Sequence, residues 1–171
     1  LIEEFKDDMK WDVNIGVQDK DFIPGKETFA KQHGIPIEIH RVAPKDYDVN
    51  IIPKIAQELR KGQDVEIAVE YWEKQPDGIW KVVGGHWMTA VGATGTRDGQ
   101  TIFVHDPASP GPSLLDIYKV DGTRIIDYRY QGDAVTYIQY AVAESPVTPP
   151  VTPPSDVSTP TETPTATTTT P

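Results

Sequence analysis

The chain has 171 residues, contains no cysteine and carries a formal net charge of −10 at pH 7. The missing cysteines exclude disulfides, thiolate-ligated zinc and a cysteine nucleophile within these residues. The acidic balance repels phosphate backbones, so we expect no nucleic-acid partner. No stretch reaches the roughly 18 apolar residues of a membrane-spanning helix, so we predict no transmembrane segment.

The first segments of the chain have helical patterns. Residues 1–11 carry apolar side chains on one helical face, and the chain opens with Leu1 inside this pattern. We therefore interpret Leu1 as a truncation point, with any export signal upstream of it. A loop is predicted over 12–25 and a short helix over 26–33, with Pro24 just before the helix.

A strand and a stronger helix follow. Three isoleucines alternate with other residues over 35–40, which indicates a strand. Apolar residues at helical spacing over 49–61 predict a helix that Asp48 caps and Gly62 ends.

The remainder of the folded part alternates as strands separated by turns. The predicted strands are DVEIAVEYW (64–72), IWKVV (79–83), GGHWMTAVGAT (84–94) and TIFVHDP (101–107), with shorter ones in LLDIYKV (114–120), RIIDYRY (124–130) and TYIQYAVAE (136–144). Helices come first and strands afterwards, which favours an α+β fold with an antiparallel sheet.

Composition divides the chain into a folded part, 1–144, and a tail, 145–171. The tail has 27 residues, of which 8 are Pro and 10 are Thr. It lacks the apolar surface that would offset the entropy of ordering it, so we predict a disordered linker. Such spacers are typical of exported proteins, so we expect an extracellular or cell-surface location, with the tail leading to the cell wall or to further domains. The alternative is the disordered end of a cytosolic protein.

Two short motifs carry the chemistry of the folded part. The segments GGHWMTAVGATG (84–95) and TIFVHDP (101–107) form a predicted hairpin of two apolar strands. His86 lies at the start of the first strand, and Asp106 lies at the end of the second, antiparallel strand. Because the turn TRDGQ (96–100) lies midway between them, the hairpin register predicts that the two side chains meet.

A histidine and a carboxylate that meet can perform acid–base catalysis. An imidazole takes and returns a proton near neutral pH, and a carboxylate bonded to it fixes its tautomer. Gly84 and Gly85 remove side chains in front of His86, which leaves room for a substrate. Trp87 is expected to shield the pair from water and to line the same substrate site.

The His and Asp motifs resemble those of the C39-like cysteine peptidases, a branch of the papain-like fold. The resemblance implies a partial papain-like fold over about residues 1–140, with His86 as general base and Asp106 as its orienting partner. It also implies peptide or protein substrates and no cofactor or metal. The family's nucleophilic Cys and the Gln before it lie on an early helix and cannot be placed here. Either they lie upstream of Leu1, or the chain is an inactive relative.

Simpler interpretations of these residues stay open. His86 could be a strand-edge histidine, and Asp106 an Asx-turn residue before Pro107. A metal site built from His86, His105 and Asp106 is disfavoured, because alternation in the strand points His105 to the opposite face. The alternative functions are an inactive peptide- or wall-binding module and a sheet-rich surface adhesin.

Two tryptophans flank the predicted turn QPDG (75–78). We expect Trp72 and Trp80 to pair across this hairpin. Their position is more typical of core or rim residues than of a ligand-binding surface.

Overall fold

The computed structural model describes residues 1–13, 16–43, 48–96, 99–108, 115–128 and 134–147. Of the predicted tail, Ser145 and Pro146 are the last residues of a strand, so the predicted boundary after 144 is two residues too early. The tail from 148 onward lies outside the described residues. Within the described ranges the chain forms three helices and seven strands. The helices are α1 (Ile2–Asp8), α2 (Asp19–Gln32) and α3 (Ile51–Arg60). The strands are β1 (Ile37–Arg41), β2 (Asp64–Lys74), β3 (Trp80–Thr96), β4 (Gly99–His105), β5 (Asp116–Asp121), β6 (Arg124–Ile125) and β7 (Val135–Pro146).

The strands join one antiparallel sheet in the order β1-β7-β2-β3-β4-β5-β6. The predicted α+β class with an antiparallel sheet is confirmed. Strand β6 pairs with β7 as well as with β5. The strands from β2 to β7 therefore close into a ring, which has an inner and an outer face.

Strand β2 defines the two faces, because side chains alternate along a strand. The inner face carries Val65, Ile67, Val69 and Tyr71, all buried, and the outer face carries Glu66, Ala68, Glu70 and Trp72.

The main core fills the inner face. Strands β2, β3, β4, β5, β6 and β7 all contribute buried apolar side chains to it. Helix α3 covers one end of this core with Ile51, Ile52 and Ile55, each 0% exposed. These residues follow the helical spacing that the sequence predicts for this segment.

A second, smaller core lies on the outer face, beneath α1 and α2. The ring of Phe22 on α2 stacks on Trp87 of β3, with centroids 3.6 Å apart. Tyr140 of β7 meets Trp87 edge-on at 5.5 Å. Met9 and Val142 complete this cluster. Aromatic pairs of this kind stabilise a contact beyond the area that they bury.

Helix α2 begins at Asp19, whereas the sequence predicts its start at Lys26. Pro24 lies inside the helix and does not mark its boundary, so that prediction is wrong. The proline removes one backbone hydrogen bond, but tertiary packing retains the helix on both sides of it. Phe22 and Gly25, which flank Pro24, are both buried.

Strand β3 is one strand of 17 residues, whereas the sequence predicts two strands with a break before Gly84. A register shift opposite Tyr71 and Trp72 absorbs one extra residue of β3. Such a bulge bends a strand without ending it. The β2–β3 hairpin is therefore continuous from its turn to the site residues.

The start of α3 also differs in detail from the prediction. Asp48 does not cap the helix; its side chain accepts a hydrogen bond from the N–H of Asn50 at 2.9 Å and forms an ion pair with Lys54. The hydrogen bond from Lys54, and then that from Asn50, lower the pKa of Asp48. Gly62, with φ +78°, follows the last turn as predicted.

An ion cluster joins α2 to the outer face. The Lys26 ammonium donates to Glu66 of β2 at 2.8 Å and also pairs with Glu144 of β7. Burial raises the pKa of Glu66, and Lys26 offsets this effect only in part. The cluster therefore holds the Glu66 carboxylate in a buried position, where burial disfavours its charged form.

We predict that Gly25→Ala destabilises the fold, because a Cβ at this position would lie 2.6 Å from the Cα of Met9, which directly follows α1. Separating α1 from α2 should cost about 1–3 kcal/mol in the free energy of unfolding, measured by urea denaturation. The control is Gly99→Ala, where a Cβ has nothing within 4 Å, and we expect it to change stability by less than about 0.5 kcal/mol. Equal effects at both positions would contradict the close contact.

We predict that Glu66 makes stability fall as the pH rises. Since its pKa is raised in the folded state above the ordinary 4.5, its contribution is fully present below that value and is lost as the pH rises through the folded pKa. Glu66→Gln should therefore gain stability relative to the wild type with increasing pH, as measured by urea denaturation between about pH 4 and 8. Glu73→Gln, an exposed change on the same strand, should show no such trend.

Candidate functional site at the His86–Asp106 pair

The candidate site lies on the inner face, where β3 and β4 run side by side. His86 is on β3 and pairs with Val69 of β2. Asp106 directly follows His105, the last residue of β4, which pairs with Thr89. This register places Asp106 diagonally across from His86, a spacing that long side chains can bridge.

The two side chains meet. The Nε2 atom of His86 lies 2.6 Å from Oδ1 of Asp106. The Asp106 side chain is 3% exposed, whereas that of His86 is 21% exposed. The backbone N–H of Ala108 donates to the same carboxylate oxygen at 2.8 Å. Asp106 thus forms an Asx-type turn and at the same time binds the imidazole. The catalytic role of the pair stays a prediction.

The contact with Asp106 differentiates the two ring nitrogens of His86. In a neutral imidazole one nitrogen carries the proton and the other accepts one. When Nε2–H donates to Asp106, Nδ1 is the nitrogen that can take a proton from a reacting group. The buried carboxylate lies behind a partly exposed ring, an arrangement that leaves the imidazole accessible to a reactant.

Three tyrosines lie around the pair. The hydroxyls of Tyr71 and Tyr128 hydrogen-bond at 3.1 Å, and the ring of Tyr118 meets that of Tyr128 edge-on at 5.0 Å. Burial, then Asp116 and Asp106, raise the pKa of Tyr118. Burial also raises the pKa of Tyr128; the bond with Tyr71 opposes this, and Asp106 adds to it. Both hydroxyls therefore stay protonated beside the carboxylate.

The two glycines before His86 allow close packing within the hairpin. A Cβ at Gly84 would lie 3.2 Å from the Tyr71 ring, and one at Gly85 would lie 3.0 Å from the Val69 carbonyl oxygen. Close packing against β2 thus accounts for glycine at both positions. Contact of these glycines with a substrate stays a prediction.

Trp87 does not shield the pair, which corrects the expectation from the sequence. Its side chain lies on the outer face, stacked on Phe22, while His86 points to the inner face. Neighbours in a strand point to opposite faces, so a residue next to His86 cannot cover it. The tyrosines 71, 118 and 128 provide the aromatic surroundings of the pair instead.

His105 is exposed, in agreement with its predicted position on the face opposite Asp106. It does not join the pair. Within the described ranges, no group of three or more His, Cys, Asp or Glu side chains could hold a metal ion.

The sequence analysis did not identify the tyrosine cluster. Its members come from β2, β5 and the segment after β6, far apart in the chain. Only the closure of the ring brings them together, and no local pattern in the sequence carries that information.

Comparison with known proteins gives no match from which a function could be inferred, so the function is argued from the geometry of the site. No protein-family model matches the chain, and no curated protein matches it in sequence. None of the helices in the described ranges is long and apolar enough to cross a membrane.

We predict that Asp106→Ala destabilises the fold by about 1–3 kcal/mol, because it leaves the Ala108 N–H and the imidazole without an acceptor. Asp106→Asn should cost less, since it retains an oxygen for Ala108. Urea denaturation measures both, and nitrogen NMR of the His86 ring should show the Nε2–H tautomer only while Asp106 is present. The exposed change Asp121→Ala should cost less than about 0.5 kcal/mol; a similar cost for Asp106→Ala would argue against the contact.

Proposed function

We propose that residues 1–144 form a C39-like, papain-fold cysteine peptidase domain that hydrolyses peptide bonds. The observation that carries this proposal is the partly exposed His86 imidazole, bonded at 2.6 Å to the buried Asp106 carboxylate. Helices followed by an antiparallel sheet are compatible with the papain-like assignment. The chain contains no cysteine, so we place the nucleophile on a helix upstream of Leu1, with a Gln just before it.

In the proposed reaction His86 moves the protons. Its Nδ1 takes the thiol proton as sulfur attacks the peptide carbonyl carbon, and the imidazolium gives that proton to the amine as the C–N bond breaks. Water then attacks the thioester while His86 takes a proton from it, and the sulfur leaves and is reprotonated. Asp106 holds Nε2 and stabilises the imidazolium at each transfer.

The proposed setting is the cell surface or the extracellular space. The Pro- and Thr-rich composition of 145–171 supports this location, because such spacers hold exported domains away from a wall or from a neighbouring domain. The proposed substrates are peptides or proteins, and the acidic charge disfavours nucleic acids.

A second function is an inactive papain-fold module that binds peptide or cell-wall components. The absence of cysteine from the 171 residues is the observation that favours it. This module would retain the His86–Asp106 contact as structure alone. The two functions differ in the residue that follows the proposed upstream Gln.

We predict that the chain, expressed together with its upstream coding segment, shows thiol-dependent peptide hydrolysis. His86→Ala should lower kcat/KM by about 10²–10⁴-fold, because the general base is lost. Hydrolysis is measured on a quenched-fluorescent peptide library, and reactivity of the thiol is measured by alkylation with iodoacetamide at neutral pH.

The matched control is His105→Ala, which removes an exposed imidazole next to Asp106 but outside the pair. It should leave kcat/KM within about twofold of the wild type. Hydrolysis that survives His86→Ala would refute the assigned base. A Ser, Ala or Gly in place of the upstream Cys would instead favour the binding module.

A further inference from the structure

A cavity of about 280 Å³ lies away from the His86–Asp106 pair, lined by Trp72, Trp80, Thr123 and Tyr137. Trp72 belongs to the outer face, whereas His86 belongs to the inner face. The cavity volume is slightly below the roughly 300–1,000 Å³ of small-ligand sites, which suits a small ligand. We call this cavity the aromatic cleft.

The rim of the aromatic cleft is unusually apolar for a surface. Trp80 is 45% exposed, and Ile79 and Val82, next to it on the same hairpin, are 57% and 47% exposed. Contiguous exposed apolar side chains around a cavity are typical of ligand sites. Scattered apolar residues need no such explanation, but Val82 is the cross-strand partner of Trp72, which lines the cleft, and Ile79 directly precedes Trp80.

Polar groups are fixed beside the aromatic rings. Glu70, the cross-strand partner of Tyr137, accepts a hydrogen bond from the Trp72 indole N–H at 3.2 Å and from the Gln139 amide at 2.5 Å. These bonds hold the carboxylate and the indole plane in one orientation. A few oriented polar groups among aromatic side chains are what a small-molecule site uses for specificity.

The charges around the aromatic cleft select the kind of ligand. Trp80 pairs across the hairpin with Lys74, and Trp72 pairs with Val82, so the expected pairing of the two tryptophans is wrong. Arg124 pairs with Tyr137, and so does Glu70 from the other side. A cationic ligand would meet the Lys and Arg side chains. An anionic ligand would meet Glu70 and the overall charge of −10. A neutral ligand that carries both hydrogen-bond donors and acceptors matches this mixed rim.

We propose that the aromatic cleft binds a neutral saccharide of one or two sugar rings. The C–H bonds of a pyranose carry partial positive charge and pack against the negative π faces of Trp72 and Trp80. Sugar hydroxyls can hydrogen-bond with the hydroxyls of Thr123 and Tyr137, which line the cleft. Glu70, Lys74 and Arg124 are cross-strand partners of lining residues and provide charged groups on the same face. This proposal does not rest on the peptidase assignment, since the residues of the two sites are separate.

The test uses the four tryptophans as reporters in ¹⁵N-labelled protein of the full chain. N-acetylated chitotriose, cellotriose and maltotriose, which are neutral and contain the one or two rings that the cleft would hold, are titrated one at a time while the indole N–H signals are followed by NMR. At least one of them should shift the Trp72 and Trp80 signals in a saturable way and leave those of Trp11 and Trp87 in place. Trp80→Ala should weaken that binding at least tenfold, and Trp80→Phe, which keeps an aromatic face, should weaken it less.

The control variant is Trp11→Ala, because Trp11 is 45% exposed, as Trp80 is, but is not among the residues that line the cleft. It should leave the affinity unchanged. The proposal is overturned if no trisaccharide shifts Trp72 and Trp80, or if all four indoles shift together. It is also overturned if only tetramethylammonium or a proline-rich peptide, PVTPPVTPP, produces the shift. Circular dichroism checks that Trp80→Ala still folds. If its spectrum matches that of the wild type, the loss of binding is due to the change in the cleft and not to unfolding.

Discussion

The pairing of β7 on both of its edges is the interaction on which the rest of the structure depends. One edge pairs with β2, and the other pairs with β1 near its end and with β6 near its start. This double pairing closes the ring and gives the sheet an interior, in which Ile138 and Ala141 are 0% exposed. Without it, the inner face would be an open surface. The tyrosines beside Asp106 come from β2, β5 and the segment after β6, so they would not be gathered there.

The sequence predicts most of the fold because the strands alternate strongly and the helices have one apolar face. It fails where long-range packing outweighs a local signal. Pro24 is a helix breaker in isolation, yet the stacking of Phe22 on Trp87 holds α2 on the sheet through the proline. The sequence predicts separate strands over 79–83 and 84–94, yet β3 continues through a bulge opposite Tyr71 and Trp72. In both cases the deciding partner is distant in the chain.

The candidate site also has a part that the sequence predicts and a part that it does not. The His86–Asp106 contact follows from the hairpin register alone, because its two motifs are separated only by a short turn. The alternation that separates His105 from Asp106 also separates Trp87 from His86. Assigning Trp87 to the pair ignored that constraint, and the structure places its ring on Phe22. The tyrosines could not be predicted, since no local pattern relates residues 71, 118 and 128 before the ring is closed.

The burial of Asp106 is a feature that the proposed catalytic role of the pair would explain. Removing a carboxylate from water is costly, and apolar side chains of similar volume often stabilise such a position as well or better. The inner-face residues Met88, Ala90 and Val104 are apolar, and the hydroxyls of Tyr71 and Tyr128 are the polar groups near Asp106. A buried acid there, bonded to an imidazole that keeps 21% of its surface exposed, has the asymmetry that proton transfer needs: one partner reaches the reactant, and the other is held away from water behind it. The catalytic role that we propose for the pair would use that asymmetry.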